Sequence, residues 1–182
     1  SSFQTKVTIL LVLSLLFVAV LSNSLIYKYT LDAQFNQLRD KLKIIAQTAS
    51  LMVDSETLLG VPLNKNGVNT PQYKAIAEKL KKIKEVNPLI RYIYTMSKTG
   101  QSGILEFIVD PEPIMQLNKR KILTSYPGDK YDASGFPEML SAFNKPSADK
   151  KLCADEWGIL LSGYAPIRDI TGKTVAILGV DI

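Results

Sequence analysis

Histidine is absent from the 182 residues, and cysteine occurs once, at Cys153. These two absences exclude an intrachain disulfide, a Cys/His zinc site and any catalytic triad that needs an imidazole. Cys153 lies in a polar stretch, KKLCADE, which reads as a partly exposed thiol without a catalytic role. An intermolecular disulfide in an oxidising compartment is the one covalent use left to it. No nucleophile–base pair and no cluster of metal ligands stands out, so neither a catalytic role nor a cofactor is expected. The net charge is only +5. Its densest patch, Lys79, Lys81, Lys82 and Lys84, reads as a solvated helix face, with anionic lipid headgroups as the alternative partner. No nucleic-acid-binding motif accompanies the charge.

Charge is missing altogether between Val7 and Tyr27, where the chain reads VTILLVLSLLFVAVLSNSLIY. A helix rises about 1.5 Å per residue, so roughly 20 apolar residues cross the hydrocarbon core of a bilayer. Lys6 and Lys28 bracket the run, and Tyr27 and Tyr29 stand where amphipathic rings favour the interface. A cleaved signal peptide ending near Ser22-Asn23-Ser24 is the rival reading, but its apolar region spans only about 7–15 residues. The expected organisation is a flank at 1–6, a transmembrane helix at 7–27 and one soluble domain at 28–182.

Beyond the anchor, Leu31, Phe35, Leu38, Leu42, Ile45, Ala49 and Met52 alternate spacings of four and three, an a/d heptad pattern. Such a stripe serves either a helix packed on its own domain or a parallel pair at a homodimer seam over 31–52. Asp54 and Ser55 end this helix region. Residues 61–69 are a loop. Thr70-Pro71 caps a second helix with the stripe Tyr73, Ile76, Ala77, Leu80 and Ile83, which Asn87-Pro88 stops.

The period then becomes two. Residues 89–98 and 104–110 read as a hairpin, and 157–168 and 174–182 as a second one. Residues 114–134 carry no strong period and read as a long excursion, and 137–143 as a short helix. Segregated helices with an antiparallel sheet define an α+β domain. A start other than Met and a last strand that simply stops at Ile182 read as a fragment of a longer protein.

The segment DEWGILLSGYAPIRDITGKTVAILGVDI, residues 155–182, resembles the closing hairpin of a Cache domain. The YIYT strand at 92–95, the GDKYD segment at 128–132 and the anchor running into the first long helix agree with it. Cache domains are PAS-like extracytoplasmic sensors of bacterial and archaeal signalling receptors. The resemblance covers nearly the whole chain and suits the single-module form. It implies a long N-terminal helix plus an antiparallel PAS-like sheet with flanking helices. It also implies a periplasmic or extracellular sensor held in the cytoplasmic membrane between two helices, the second after Ile182. The cytoplasmic output would be a histidine kinase, a chemotaxis methyl-acceptor or a cyclic-dinucleotide enzyme. Orientation comes from the resemblance alone, because Lys28, Arg39, Lys41 and Lys43 on the domain side outnumber Lys6.

Strand alternation puts Tyr92, Tyr94 and Met96 on one face, with Arg91 on the other. Ser162 and Tyr164 share a face of the penultimate strand, and Ile177, Gly179 and Asp181 share one of the last. A face carrying Tyr92, Tyr94, Ser162, Tyr164 and Asp181 is too polar for a plain core and suits a small-ligand pocket. Trp157, Asp110 and Tyr131 complete the candidate binding set. The resemblance adds that an acidic residue ending the last strand holds a ligand amine, which is the place of Asp181, and that Tyr164 matches an aromatic of the strand before. The family's Arg-x-Trp-Tyr element is absent, which counts against an amino-acid ligand among the candidate classes of organic acid, amino acid and amine. The plain structural roles are tyrosines half-buried in packing, Trp157 as a hairpin anchor, Asp110 as a turn cap and Asp181 in solvent. Asp129, Asp132 and Asp110 offer oxygen ligands to a divalent ion as a minor alternative. Against the sensor stands a dimerisation or partner-docking module with no small-molecule ligand of its own.

Overall fold

A computed structural model describes residues 2–115 and 124–182. Part of the expected excursion at 114–134 therefore lies outside the described residues. The chain forms two compact units, Ser1–Leu38 and Arg39–Ile182. The first is wholly helical from Phe3 and belongs to α1, Phe3–Leu51. Its side chains from Phe3 to Leu31 are exposed, and the helix is long and apolar enough to cross a membrane.

The second unit takes the rest of α1 and then α2 (Ser55–Leu59), a 3₁₀ turn (Lys65–Asn69) and α3 (Pro71–Val86). Asp54 caps α2 by accepting from the Thr57 N–H at 2.7 Å. Thr70 caps α3 through Tyr73 N–H, with Pro71 at the first helical position, where a missing N–H costs nothing. Tyr73, Ile76, Ala77 and Leu80 are buried, as their spacing predicts.

Then come β1 (Tyr92–Lys98), β2 (Ile104–Val109), α4 (Glu112–Met115), β3 (Lys130–Asp132), α5 (Pro137–Ser141), β4 (Ser147–Ala148), β5 (Cys153–Asp155), β6 (Gly158–Leu160), β7 (Ser162–Arg168) and β8 (Thr174–Asp181). Six strands form one antiparallel sheet in the order β3-β2-β1-β8-β7-β4, and β5 and β6 form a separate hairpin. This is the expected α+β architecture. The last strand in sequence lies at the centre, between β1 and β7, in the register Tyr92↔Asp181↔Ser162.

Three boundaries differ from the sequence reading. The strand expected over 157–168 is two strands in different sheets, broken at Leu161. Trp157 therefore stands in the tight turn of the β5–β6 hairpin, where Gly158 takes a φ of +129° that suits glycine. The first strand begins at Tyr92, because Pro88 and the turn after it hold 88–90 out of the ladder, which Arg91 opens by donating its N–H to the Asp181 carbonyl at 2.7 Å. The buried stripe of α1 in the second unit is Leu42, Ala46, Ala49 and Ser50, with Ile45 half-buried and Met52 exposed. A straight helix repeats at 3.6 residues, so a strict heptad drifts by only about 20° per two turns and shares Leu42 and Ala49 with the buried line.

Close packing of α1 on the sheet depends on Gly163 in β7. A Cβ there would fall 2.7 Å from the Leu42 carbonyl carbon and oxygen. Gly163→Ala is expected to lower stability by about 1–3 kcal/mol, the cost of overpacking. In thermal denaturation of the full chain that is a drop of roughly 3–10 °C. Gly100→Ala, which meets nothing within 4 Å, serves as the control and leaves the midpoint unchanged.

Candidate functional site

One sheet face carries Tyr92, Tyr94 and Met96 from β1, Phe107 from β2, Tyr131 from β3, Tyr164 from β7 and Ile177 from β8. The other face, with Ile93, Thr95, Leu178 and Val180, is fully buried. Gly179 faces the aromatic side without a side chain, which lets the Tyr94 ring lie across β8. A Cβ there would stand 2.5 Å from that ring. Tyr94 and Phe107 meet edge to face at 5.6 Å between centroids, and Tyr92 meets Trp157 likewise at 5.3 Å. Such edge contacts suit the ring quadrupoles and fix the rings relative to one another.

These rings, with α5 and the β5–β6 hairpin, enclose a pocket. All eight residues singled out in the sequence line it: Tyr92, Tyr94, Asp110, Tyr131, Trp157, Ser162, Tyr164 and Asp181. Asp155, Phe107, Phe136, Met139, Cys153 and Leu160 line it too and were not foreseen. Asp155 is the notable addition. Its carboxylate accepts from the Tyr131 hydroxyl at 2.9 Å and from the Trp157 N–H at 2.8 Å, which ties the hairpin to β3. The Asp-x-Trp-Gly turn was the available signal, since an Asp two residues before a turn residue commonly accepts its N–H.

Asp181 is buried rather than solvated, and it is fixed by the central position of β8. Tyr94 donates its hydroxyl to Asp181 Oδ1 at 3.1 Å. Burial pushes the Asp181 carboxyl up to about 7, against the opposing hydrogen bonds of Ser162 and Tyr94. Asp110 is pushed up to about 7 by the same cause. It is also the turn cap foreseen for it, accepting from Glu112 N–H at 2.9 Å and Ser125 N–H at 3.0 Å, so it serves both the loop and the pocket wall. Burial raises the Tyr94 and Tyr164 hydroxyls as well, first of all by desolvation and then by the charge of Asp181.

Three aspartates thus line the pocket, and no Lys or Arg does among the described residues. Lys84 is paired with Glu112 and lies 5.7 Å from the centre of the Tyr92 ring. Arg91 precedes β1 and folds its guanidinium to 5.4 Å from the same ring centre, so alternation does not govern it. Asp129 and Asp132 cap local turns through Tyr126 and Ser134 N–H groups and do not gather with Asp110. Among the described residues no group of three or more acids or thiols is placed to hold a metal ion. The enclosed centre of the pocket has about 20 Å³ open to the centre of a water molecule, room for roughly one water.

No known sequence family and no curated protein matches this chain. Solved structures do. The ligand-binding domain of the Campylobacter jejuni chemoreceptor Tlp3, in complex with 4-methylisoleucine, is 12% identical with a TM-score of 0.52 over 82% of this chain and 53% of that one. The Escherichia coli DcuS sensor domain is 16% identical with a TM-score of 0.48 over 81% and 89%. A type II free methionine-R-sulfoxide reductase from Thermoplasma acidophilum is 11% identical with a TM-score of 0.40 over 60% and 72%. The second and third are too distant to carry weight. The chain spans about half the length of the Tlp3 domain. The likeness to that domain establishes the fold alone, the long helix with an antiparallel sheet and flanking helices expected from the sequence.

The raised carboxyls set a pH dependence. A buried Asp whose native pKa is above its unfolded value keeps its proton longer in the folded state. Its stabilising share is complete below the unfolded value near 3.8 and is lost as pH rises through about 7. Thermal midpoints are therefore expected to fall between pH 5 and pH 8. Asp181→Asn, which keeps the neutral form at every pH, is expected to flatten that fall and to melt above wild type at pH 8. An unchanged slope in the variant would contradict the buried, proton-holding Asp181.

Proposed function

We propose that this chain is the membrane-anchored, extracytoplasmic sensor part of a transmembrane signal-transduction receptor, and that its pocket takes the ammonium group of a small metabolite, an amine or an amino acid. The observation that carries the ligand class is the lining: three aspartates and a ring of tyrosines, phenylalanines and Trp157, with no base among the described lining residues. A cation gains from carboxylates and from the faces of aromatic rings, while an organic acid meets repulsion from both. Asp181 would hold the ammonium, Tyr164 and Tyr94 would flank it, and Trp157 with Asp155 would close the hairpin over it. A metabolite needs more room than one water, so binding would displace rings and the β5–β6 hairpin. The free energy of the new contacts shifts the domain between two arrangements.

The apolar run at 7–27 would anchor the chain in the cytoplasmic membrane. Residues 28–182 would form the domain on its outer side, and α1 would carry the shift. Ile44 and Leu51 of α1 are exposed, which suits a homodimer seam within 31–52. A nearly filled pocket also suits the second reading, a dimerisation or partner-docking module whose tyrosines are packing and nothing more.

Thermal-shift and calorimetric titration of the full chain in detergent separates the two. Amines or amino acids are expected to raise the midpoint, organic acids to leave it unchanged, and Asp181→Ala to abolish the response by at least tenfold in affinity. Binding of organic acids alone would overturn the cationic ligand. Silence to every class, with an intact dimer, would favour the docking module.

A further inference from the structure

Asp149 is a buried acid outside the pocket lining. It is 1% exposed and follows the short edge strand β4. Its backbone N–H donates to the Ser162 carbonyl at 2.9 Å, and its Oδ2 accepts the Ser162 N–H at 3.0 Å. Oδ1 is buried without a hydrogen-bond partner, the one such side-chain atom among the described residues. A carboxylate oxygen desolvated in this way is costly as an anion and far less so once the group holds a proton.

Arg39 of α1 reaches the backbone of the same segment, with Nε donating to the Asp149 carbonyl at 2.6 Å and Nη2 to the Ala148 carbonyl at 3.2 Å. The other groups acting on the carboxyl are acids or neutral donors. Glu138 of α5, itself paired with Lys150 at 3.3 Å, and Asp181 of β8 disfavour its charge. Ser162 and Tyr164 of β7 favour it, and Cys153 of β5 stands close enough to feel it. Burial dominates this balance and raises the carboxyl to about 6.

We propose that Asp149 is a proton-binding site, and that its proton controls the hold of Arg39 on the β4 edge and so the seating of α1 on β7. With the proton on, Arg39 caps the two carbonyls and Leu42 rests on Gly163. When the proton leaves to solvent, a buried charge appears on the residue whose backbone Arg39 already holds. Arg39 then trades a carbonyl for the carboxylate, and the helix turn that carries it moves. No bond other than O–H is made or broken. This input needs no metabolite, so it stands or falls separately from the cationic ligand.

The test is carbon-13 and nitrogen-15 NMR of the full chain in lipid nanodiscs, following aspartate carboxyls and the Arg39 Nε between pH 4 and pH 9. In wild type the Asp149 carboxyl is expected to titrate near pH 6, and Arg39 Nε to shift with the same midpoint. Asp110→Asn and Asp181→Asn each remove a different titration and keep that of Asp149, whose midpoint falls in Asp181→Asn as the opposing charge is removed. In Asp149→Asn the Arg39 resonance is expected to become independent of pH from 5 to 8. An Asp149 carboxyl already ionised at pH 4.5 would overturn the site. An Arg39 signal that stays fixed while Asp149 titrates would overturn the coupling. Both readings are available in wild type, so they hold even if Asp149→Asn fails to fold.

Discussion

The buried carboxyl of Asp181 sits at the centre of the sheet because β8, last in the chain, is inserted between β1 and β7. The rung Tyr92↔Asp181↔Ser162 keeps it buried at the pocket wall, and no base from the described residues lines the pocket beside it. An ion of that kind in a low-dielectric site is costly, so the group either keeps its proton or meets a cation from outside. The arrangement of the tyrosine hydroxyls around it follows from the same constraint. Tyr94 donates to Asp181, Tyr131 donates to Asp155, and each hydroxyl is raised first by burial and further because its own ionisation would add a second negative charge.

Two glycines make the two faces of the sheet usable in different ways. Gly179 clears the aromatic face so that Tyr94 can cross β8, while Gly163 clears the opposite face so that the Leu42 backbone can approach β7. Gly163 follows Ser162, and Asp149 spans the same stretch of β7 from the edge. The pocket wall and the seat of α1 are therefore neighbours along one strand. A displacement of Tyr164 or Ser162 has a short mechanical path to the helix, through packed backbone rather than through flexible side chains.

Much of this was legible in the sequence where a period was long enough to read. Seven-residue β1 and eight-residue β8 carry enough alternation to assign faces, which is why the sequence alone puts Tyr92, Tyr94 and Asp181 on one surface. Tyr73 and Leu80 were equally plain on a capped helix. The rest was hidden for physical reasons. β4 has two residues and β5 and β6 three each, so none of them shows a period, and neither the burial of Asp149 nor the place of Asp155 at the pocket had a signal. Leu161 looks like strand interior, yet it is where the chain leaves the hairpin for the main sheet. The heptad of α1 fitted a seam better than it fitted the actual buried line, because short stretches cannot separate a 3.5 from a 3.6 repeat.

Methionine methyl groups give the most direct test of a cation-selective pocket. Met96 and Met139 line it, while Met52 is exposed just after α1 and outside it. In methyl NMR of the full chain, addition of small amines or amino acids is expected to move the Met96 and Met139 signals and leave Met52 in place. Matching carboxylic acids are expected to move none of the three. Movement of Met96 and Met139 by the acids and not by the amines would contradict the account.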